Sequence, residues 1–287
     1  MKDSRIMKNY FGSSKIWKTI GYILISFWVS FILFSIIWMI LTSLKTNNEL
    51  FNNIWSIPAQ PQWGNYVKAW NVLKMVTYYK NSIIVVPIAT ILVLVVATPC
   101  AYALTRIKFR FREALANFII LGMGVPIQLI IIPLYLLMSK LSLTNSYIGL
   151  IIAYITGSIS FTIFLLYGYI KNLPIELEEA ALVDGSKPFN VFLRIILPLS
   201  SPGLITVSIF NFVFLWNEYL LAIVLIKDAE LKTVSLGLYN LQIAMQYTGD
   251  WVSLYAGVLI AITPIMIVFF ILSELIVESM TLGAVKG

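Results

Sequence analysis

Histidine is absent from this 287-residue sequence, and cysteine occurs once, as Cys100. Without imidazole there is no Ser-His-Asp or Cys-His nucleophile pair, no two-histidine zinc helix and no imidazole proton relay. A lone thiol cannot close an intrachain disulfide; Cys100 falls inside an apolar run and reads as a small buried hydrophobe. No GxxxxGK[ST] stretch is present, so the chain does not itself cradle nucleotide phosphates. Charge is scarce as well: Asp, Glu, Lys and Arg make up 11% of the residues, against about 25% in an ordinary soluble domain. Hydrophobic residues take their place, at 60% of the chain. Too little polar surface is left to cover a water-soluble globule, and the same numbers exclude intrinsic disorder.

Six windows are apolar over the roughly 20 residues needed to cross a hydrocarbon core: 20–43, 82–105, 115–138, 147–170, 203–226 and 255–277. The first four contain no charged residue; the fifth contains Glu218 and the sixth Glu274, near its end and read as an interface residue. The first window exceeds a signal-peptide core and is followed by SLKTNNELF, not by a small-x-small cleavage site, so it is expected to remain as an anchor. Thirteen of the 20 Lys and Arg residues fall in 1–19, 106–114, 171–202 and 278–287, on one side of the six windows, and seven on the other. The positive-inside rule then places both termini in the cytoplasm. On this reading the net charge of +7 reflects topology, not nucleic-acid binding. The expected protein is all-α and polytopic: a cytoplasmic segment 1–19, a six-span domain 20–277 and a cytoplasmic tail 278–287. The outer segments 44–81 and 227–254 are too long for tight turns. Trp55, Trp63, Trp70, Tyr78 and Tyr79 there suit an interfacial aromatic belt or partner contacts. No internal repeat is evident, so inverted-repeat carrier architecture gains no support.

Between the fourth and fifth windows the chain reads NLPIELEEAALVDGSKPFNVFLRIILPLSSPG. The pattern predicts two short helices. Pro174 suits a first helical position, Glu176, Glu178 and Glu179 suit the positive end of the helix dipole, and Gly185 suits a left-handed C-terminal turn. Ser186 and Pro188 can start the second helix, and Pro198 and Pro202 limit it. Ala180 and Ala181 carry almost no bulk, so another surface can approach closely. These features fit a solvated amphipathic hairpin or a rigid acidic plug for a basic cleft.

The spacing separates the two. Glu179-Ala180-Ala181, three residues, Gly185, nine residues and Ile195-x-Leu197-Pro198 resembles the EAA signature of binding-protein-dependent ABC importer permeases at every gap. Pro126-Ile127-Gln128, Ile132-Pro133-Leu134-Tyr135, Trp216-Asn217-Glu218-Tyr219 and the terminal Gly283-Ala284-Val285-Lys286-Gly287 are similar to the carbohydrate class, in particular its maltose-type second permease. Ser158-x-Ser160 departs from that pattern, where relatives often carry proline near the phenylalanine. The resemblance covers about residue 65 to the end. It implies a type I importer permease whose 171–202 loop forms a coupling helix on a cytoplasmic ATPase. Glu178, Glu179, Ala180, Ala181, Asp184, Gly185, Ile195, Leu197 and Pro198 would form that contact, and Lys286 would reach the ATPase dimer. The partners implied are a second permease, two ATPase subunits or domains holding ATP and Mg, an extracytoplasmic solute-binding protein contacting 227–254, and a sugar. The chain itself would hold no cofactor, bind no metal and catalyse no bond chemistry.

Polar residues inside the windows mark a candidate pathway or gate: Gln128, Asn211, Asn217 and Glu218. Ser208, Asn211, Leu215 and Glu218 recur at helical spacing, which suits packing of one face, a solute pathway or an outer gate. Pro126 and Pro133 suit a bent packing helix or a polar bend beside the pathway. Tyr154, Phe161 and Tyr167 suit lipid or packing contacts, or stacking on sugar rings. A polyol or glycerol phosphate permease is the alternative, and a stand-alone ion-coupled carrier or an intramembrane enzyme are more distant ones.

Overall fold

The structure, a computed structural model, describes residues 15–284, with side chains from 17 to 271. Lys286 and the side chain of Glu274 lie outside the described residues. The helices in chain order are α1 (Lys15–Ser43), α2 (Asn47–Asn52), α3 (Gly64–Val67, continuing as a π turn, Lys68–Val72), α4 (Met75–Arg106), α5 (Arg112–Gly122) and α6 (Ile127–Lys140). They are followed by α7 (Tyr147–Lys171), α8 (Glu176–Val183), α9 (Pro188–Leu199), α10 (Ser201–Asn217), α11 (Leu220–Leu225), α12 (Val234–Thr248) and α13 (Trp251–Ala284). No strand occurs among the described residues.

The central packing is α4 along α7, with α10 against both and α13 against α10. Lipid offers no hydrophobic drive for helix association, so close backbone approach matters more than apolar bulk. On α4, Val85, Ala89, Val93, Ala97 and Ala101 recur every four residues and are all fully buried, which forms a narrow stripe that admits α7. The core divides along this seam. Val85, Ala89, Leu150, Tyr154, Leu215 and Trp216 belong to one half, and Ala97, Ala101, Leu166, Ile170, Phe192 and Ile196 to the half beside α8 and α9. Cys100, expected to be buried, is half-buried at the edge of that second half, because it sits one position off the stripe. Helix α1 packs on α13, and Phe27 and Trp28 stand about two-thirds exposed on it, the lipid-facing surface expected of an anchor.

Four helices (α1, α4, α7 and α13) are long and apolar enough to cross a membrane, and two bent pairs bring the number to as many as six. The bent pairs are α5 with α6 and α9 with α10, the latter at 70°, and neither window 115–138 nor window 203–226 is a single rod. The first divides into α5 and α6, whose axes differ by 98°. The break falls where Pro126 (φ −62, ψ 130) removes a donor and pushes Val125 away from helical geometry. Pro133, expected to bend the same face, sits inside α6 without ending it. The second window is cut at Glu218, which is extended (ψ 123) between α10 and α11. Pro174 lies two residues before α8, not at its first position.

On the side opposite α8, side chains clamp the long loops. Asn145, at φ 54, donates to Asp228 Oδ2 (2.8 Å) and accepts from the backbone amides of Lys227 and Asp228. Asn81 donates to the Glu230 and Lys232 carbonyls, both at 2.8 Å, and lies 2.7 Å from the Tyr147 hydroxyl, whose proton it accepts. Buried Lys45 donates to the Ile54 carbonyl (2.8 Å), and Asp250 pairs with Lys68 (2.5 Å) and accepts from Asn47 and Ser253. Each clamp satisfies backbone or charged groups that the irregular chain would otherwise leave unpaired. The aromatics of this side divide: Trp55 and Trp63 are exposed, whereas Tyr78 is buried and Tyr79 meets Trp70 and Trp216 edge to face at 5.5 and 5.7 Å.

Two measurements test this packing. A Cβ on Gly237 would stand 2.1 Å from the Tyr78 ring, so Gly237→Ala should destabilise the protein by about 1–3 kcal/mol in a detergent thermal-shift assay. Gly64→Ala, with nothing within 4 Å, should not. Burial pushes the Asp250 carboxyl up, but the hydrogen bonds from Lys68, Asn47 and Ser253 outweigh it and hold the group below the usual range. That contribution is complete above the ordinary carboxylate value of about 4 and is lost as pH falls through the lower folded value. Hydrogen exchange in 45–72 and 248–252 should therefore rise below about pH 4, and Asp250→Asn should abolish the step.

Candidate functional sites: an exposed hairpin and a membrane-level cavity

The α8–α9 hairpin begins where α7 ends at Lys171. Helix α8 closes with a Schellman turn: Ser186 N donates to Ala181 O and Gly185 N to Leu182 O, both at 3.0 Å, with Gly185 at φ 85. A side chain is strained at that φ, so the signature glycine has a backbone role. Pro188 takes the first position of α9 behind an extended Lys187.

The three carboxylates at the start of α8 divide. Glu176 and Glu179 are exposed, as are Ala180, Asp184 and Gly185, and Ala181 is half-exposed. Glu178 turns inward, with its side chain 7% exposed, and pairs with Arg106 Nε at 2.6 Å while the Tyr102 hydroxyl donates to its other oxygen at 3.3 Å. Arg106 Nη2 also donates to the carbonyls of Ile170 (3.0 Å) and Leu173 (2.7 Å), where α7 ends. One guanidinium thus meets a buried carboxylate and the negative end of a helix dipole. Removing one partner from such a buried pair costs about 3–5 kcal/mol. Ile195 also turns toward the bundle and packs on the core half that holds Ile170 and Ile196. Leu197 is half-buried and Pro198 exposed. The signature therefore mixes an outward face with residues that hold the hairpin in place.

The second site is a cavity of about 460 Å³ at the α5–α6 break, walled by that bend, by α7 and by α10. Thr156, Ser158, Ser160 and Asn211 supply its polar groups, and Phe161, Phe210 and Phe214 its aromatic ones. Phe161 and Phe210 meet edge to face, with 6.3 Å between ring centroids. Asn211 is buried and donates to Thr162 Oγ1 at 2.9 Å, while Thr162 donates to the Ser158 carbonyl at 2.8 Å.

Of the four pathway candidates, Asn211 alone lines this cavity. Gln128 is exposed beyond the bend. Asn217 is exposed and donates to the Val213 carbonyl at 2.8 Å, one turn back in its own helix. Glu218 does not continue the face of Ser208, Asn211 and Leu215, because α10 ends before it. Its carboxylate accepts from Leu221 N (2.7 Å) and Ala222 N (3.4 Å), so it caps α11. Tyr154 is buried in the core with its hydroxyl 3.4 Å from the Glu218 carbonyl, and Tyr167 lies beneath the Lys171 ammonium, so neither is a cavity aromatic. Phe210 and Phe214 are not among the sequence candidates: an aromatic on an apolar helix carries no mark of a cavity until the opposing bend is in place. The available signal is their four-residue spacing on the Asn211 helix.

Beside this geometry, the similarity to known proteins is specific. Residues 94–282 match the family described as binding-protein-dependent transport system inner membrane component. The chain belongs to this family: it is a multi-pass transport component that works with a binding protein, not an enzyme. It is 32% identical to the multiple sugar-binding transport system permease protein MsmG of Streptococcus mutans, over 97% of this chain and 98% of that one. It is 30% identical to the diacetylchitobiose uptake system permease protein NgcG of Streptomyces coelicolor, over 96% and 91%. Among solved structures, a chain of a bacterial ABC transporter involved in the import of the acidic polysaccharide alginate shares the fold, with a TM-score of 0.79 and 22% identity over 91% and 98% of the two chains.

The cap assignment is testable. Glu218→Ala should lower stability by about 0.5–2 kcal/mol, and Glu218→Gln, which keeps an acceptor oxygen, should recover part of the loss in the same thermal-shift assay.

Proposed function

We propose that the chain is one permease subunit of an ATP-driven importer for an uncharged sugar or oligosaccharide. It pairs with a second permease, and α8 docks in a cleft of a cytoplasmic ATPase subunit, where ATP and Mg are held. The observation that carries this reading is the geometry of α8. Glu178 anchors the helix to the bundle, and Glu179, Ala180 and Val183 are left exposed on it. The Arg and Lys excess on this side supports a cytoplasmic position for α8 and for both termini. ATP-driven closure of the ATPases would draw paired α8 helices together and reorient the cavity between the two sides of the membrane.

The solute class follows from the cavity and the relatives. Hydroxyl, amide and aromatic groups line it, which suits hydroxyl-rich rings with apolar faces, and no charged side chain does. A glycerol phosphate would find no cation there. The diacetylchitobiose and multiple-sugar systems of the two relatives support a saccharide. An ion-coupled carrier is disfavoured because the Glu218 oxygens are engaged by backbone amides away from the cavity.

Glu179→Lys reverses charge on the outward face while leaving the Arg106–Glu178 pair intact. ATPase retained on the purified permease should fall by about tenfold or more, as expected for like charges juxtaposed at an interface. Wild-type retention together with full uptake by this variant would refute the docking role.

A further inference from the structure

We propose that Arg106 is the positioning residue through which motion of α8 reaches the membrane bundle, with Glu178 as its ionic contact on α8. The inference rests on the reading of α8 as the ATPase-docking helix. Three ion pairs occur among the described residues. Lys68–Asp250 and Lys74–Glu230 are solvent-accessible and lie on the opposite side, whereas Arg106–Glu178 is buried and joins α4 to α8. The same guanidinium holds the Ile170 and Leu173 carbonyls at the end of α7. A displacement of α8 therefore pulls at one point on both helices of the central packing pair.

The surroundings make this point stiff. Tyr102, one turn before Arg106, donates to Glu178 and packs on Phe192 of α9 with 5.0 Å between ring centroids, so both arms of the hairpin bear on the end of α4. From Ile170, α7 runs ten residues to Ser160 on the cavity wall, about 15 Å of continuous helix. The route is Glu178, Arg106, the end of α7, then the wall that carries Ser158, Ser160 and Phe161. A lysine at 106 would keep the charge but not the planar group that holds both carbonyls through Nη2 while its Nε stands beside the carboxylate.

The test separates docking from transmission. The complete importer, purified through a tag on this chain with its own ATPase and partner subunits, is labelled with bimane at Val183→Cys on α8 or Phe214→Cys on the cavity wall. Both are made in a Cys100→Ala background and read on adding MgATP with orthovanadate. In the otherwise unaltered complex both positions should respond. With Glu178→Gln, which keeps the side-chain volume, position 183 should still respond while the response at position 214 falls by about threefold or more. Arg106→Lys should reproduce that split. A merely structural pair would move the two responses together, so a parallel loss, or no loss, overturns the inference. Should Glu178→Gln not assemble, Tyr102→Phe deletes one hydrogen bond to the same carboxylate, and an unchanged ratio of the two responses overturns the inference equally. Absence of any response at position 183 in the otherwise unaltered complex overturns the docking reading itself, and is recognised by that position alone.

Discussion

Inside a hydrocarbon layer a backbone amide or carbonyl has no water to bond, so every interruption of a spanning helix must be repaired by protein. That constraint organises this molecule. Where α10 stops, the Glu218 carboxylate takes up amides of α11. Where α7 ends, Arg106 takes up its carbonyls. At the opposite side, beyond the spans, Asn81 and Asn145 hold the irregular 227–233 chain in the same manner. Each repair is made by a single side chain that takes up two or more backbone groups, which is why few polar residues suffice.

The same constraint explains where the cavity is. A bend of 98° at Pro126 leaves a gap that a straight helix would have filled, and α7 and α10 present hydroxyls, an amide and phenylalanine rings to it. An apolar helix packing on an apolar helix would close that gap. Ser158 and Ser160, with Phe210 and Phe214 opposite, leave it open and mixed in character. The hairpin shows a related division of labour: one carboxylate of α8 is committed to the bundle so that its neighbours can remain uncommitted.

Much of this is legible in the sequence. Apolar windows locate the spanning segments, because length against hydrocarbon thickness is a local property. The EAA spacing locates the hairpin, and the left-handed φ of Gly185 shows why that position takes glycine. Legibility fails where a residue's meaning depends on what stands opposite. Glu178 and Glu179 are chemically identical neighbours on one short helix, and only the position of Arg106 separates the anchor from the exposed group. Glu218 reads as a member of a polar face only on an unbroken helix, and the face ends one residue too soon.

Composition and hydrophobic run length by themselves determined that this is an all-helical membrane protein without imidazole or disulfide chemistry of its own, since both follow from residue types and counts. Motif spacing determined its transport family for a similar reason: turns and close approaches require particular residues at particular intervals. Tertiary structure decided which polar groups are free. Pairing of a buried charge depends on partners such as Arg106 and Glu178, 72 positions apart in the numbering, which only the folded chain brings within 2.6 Å.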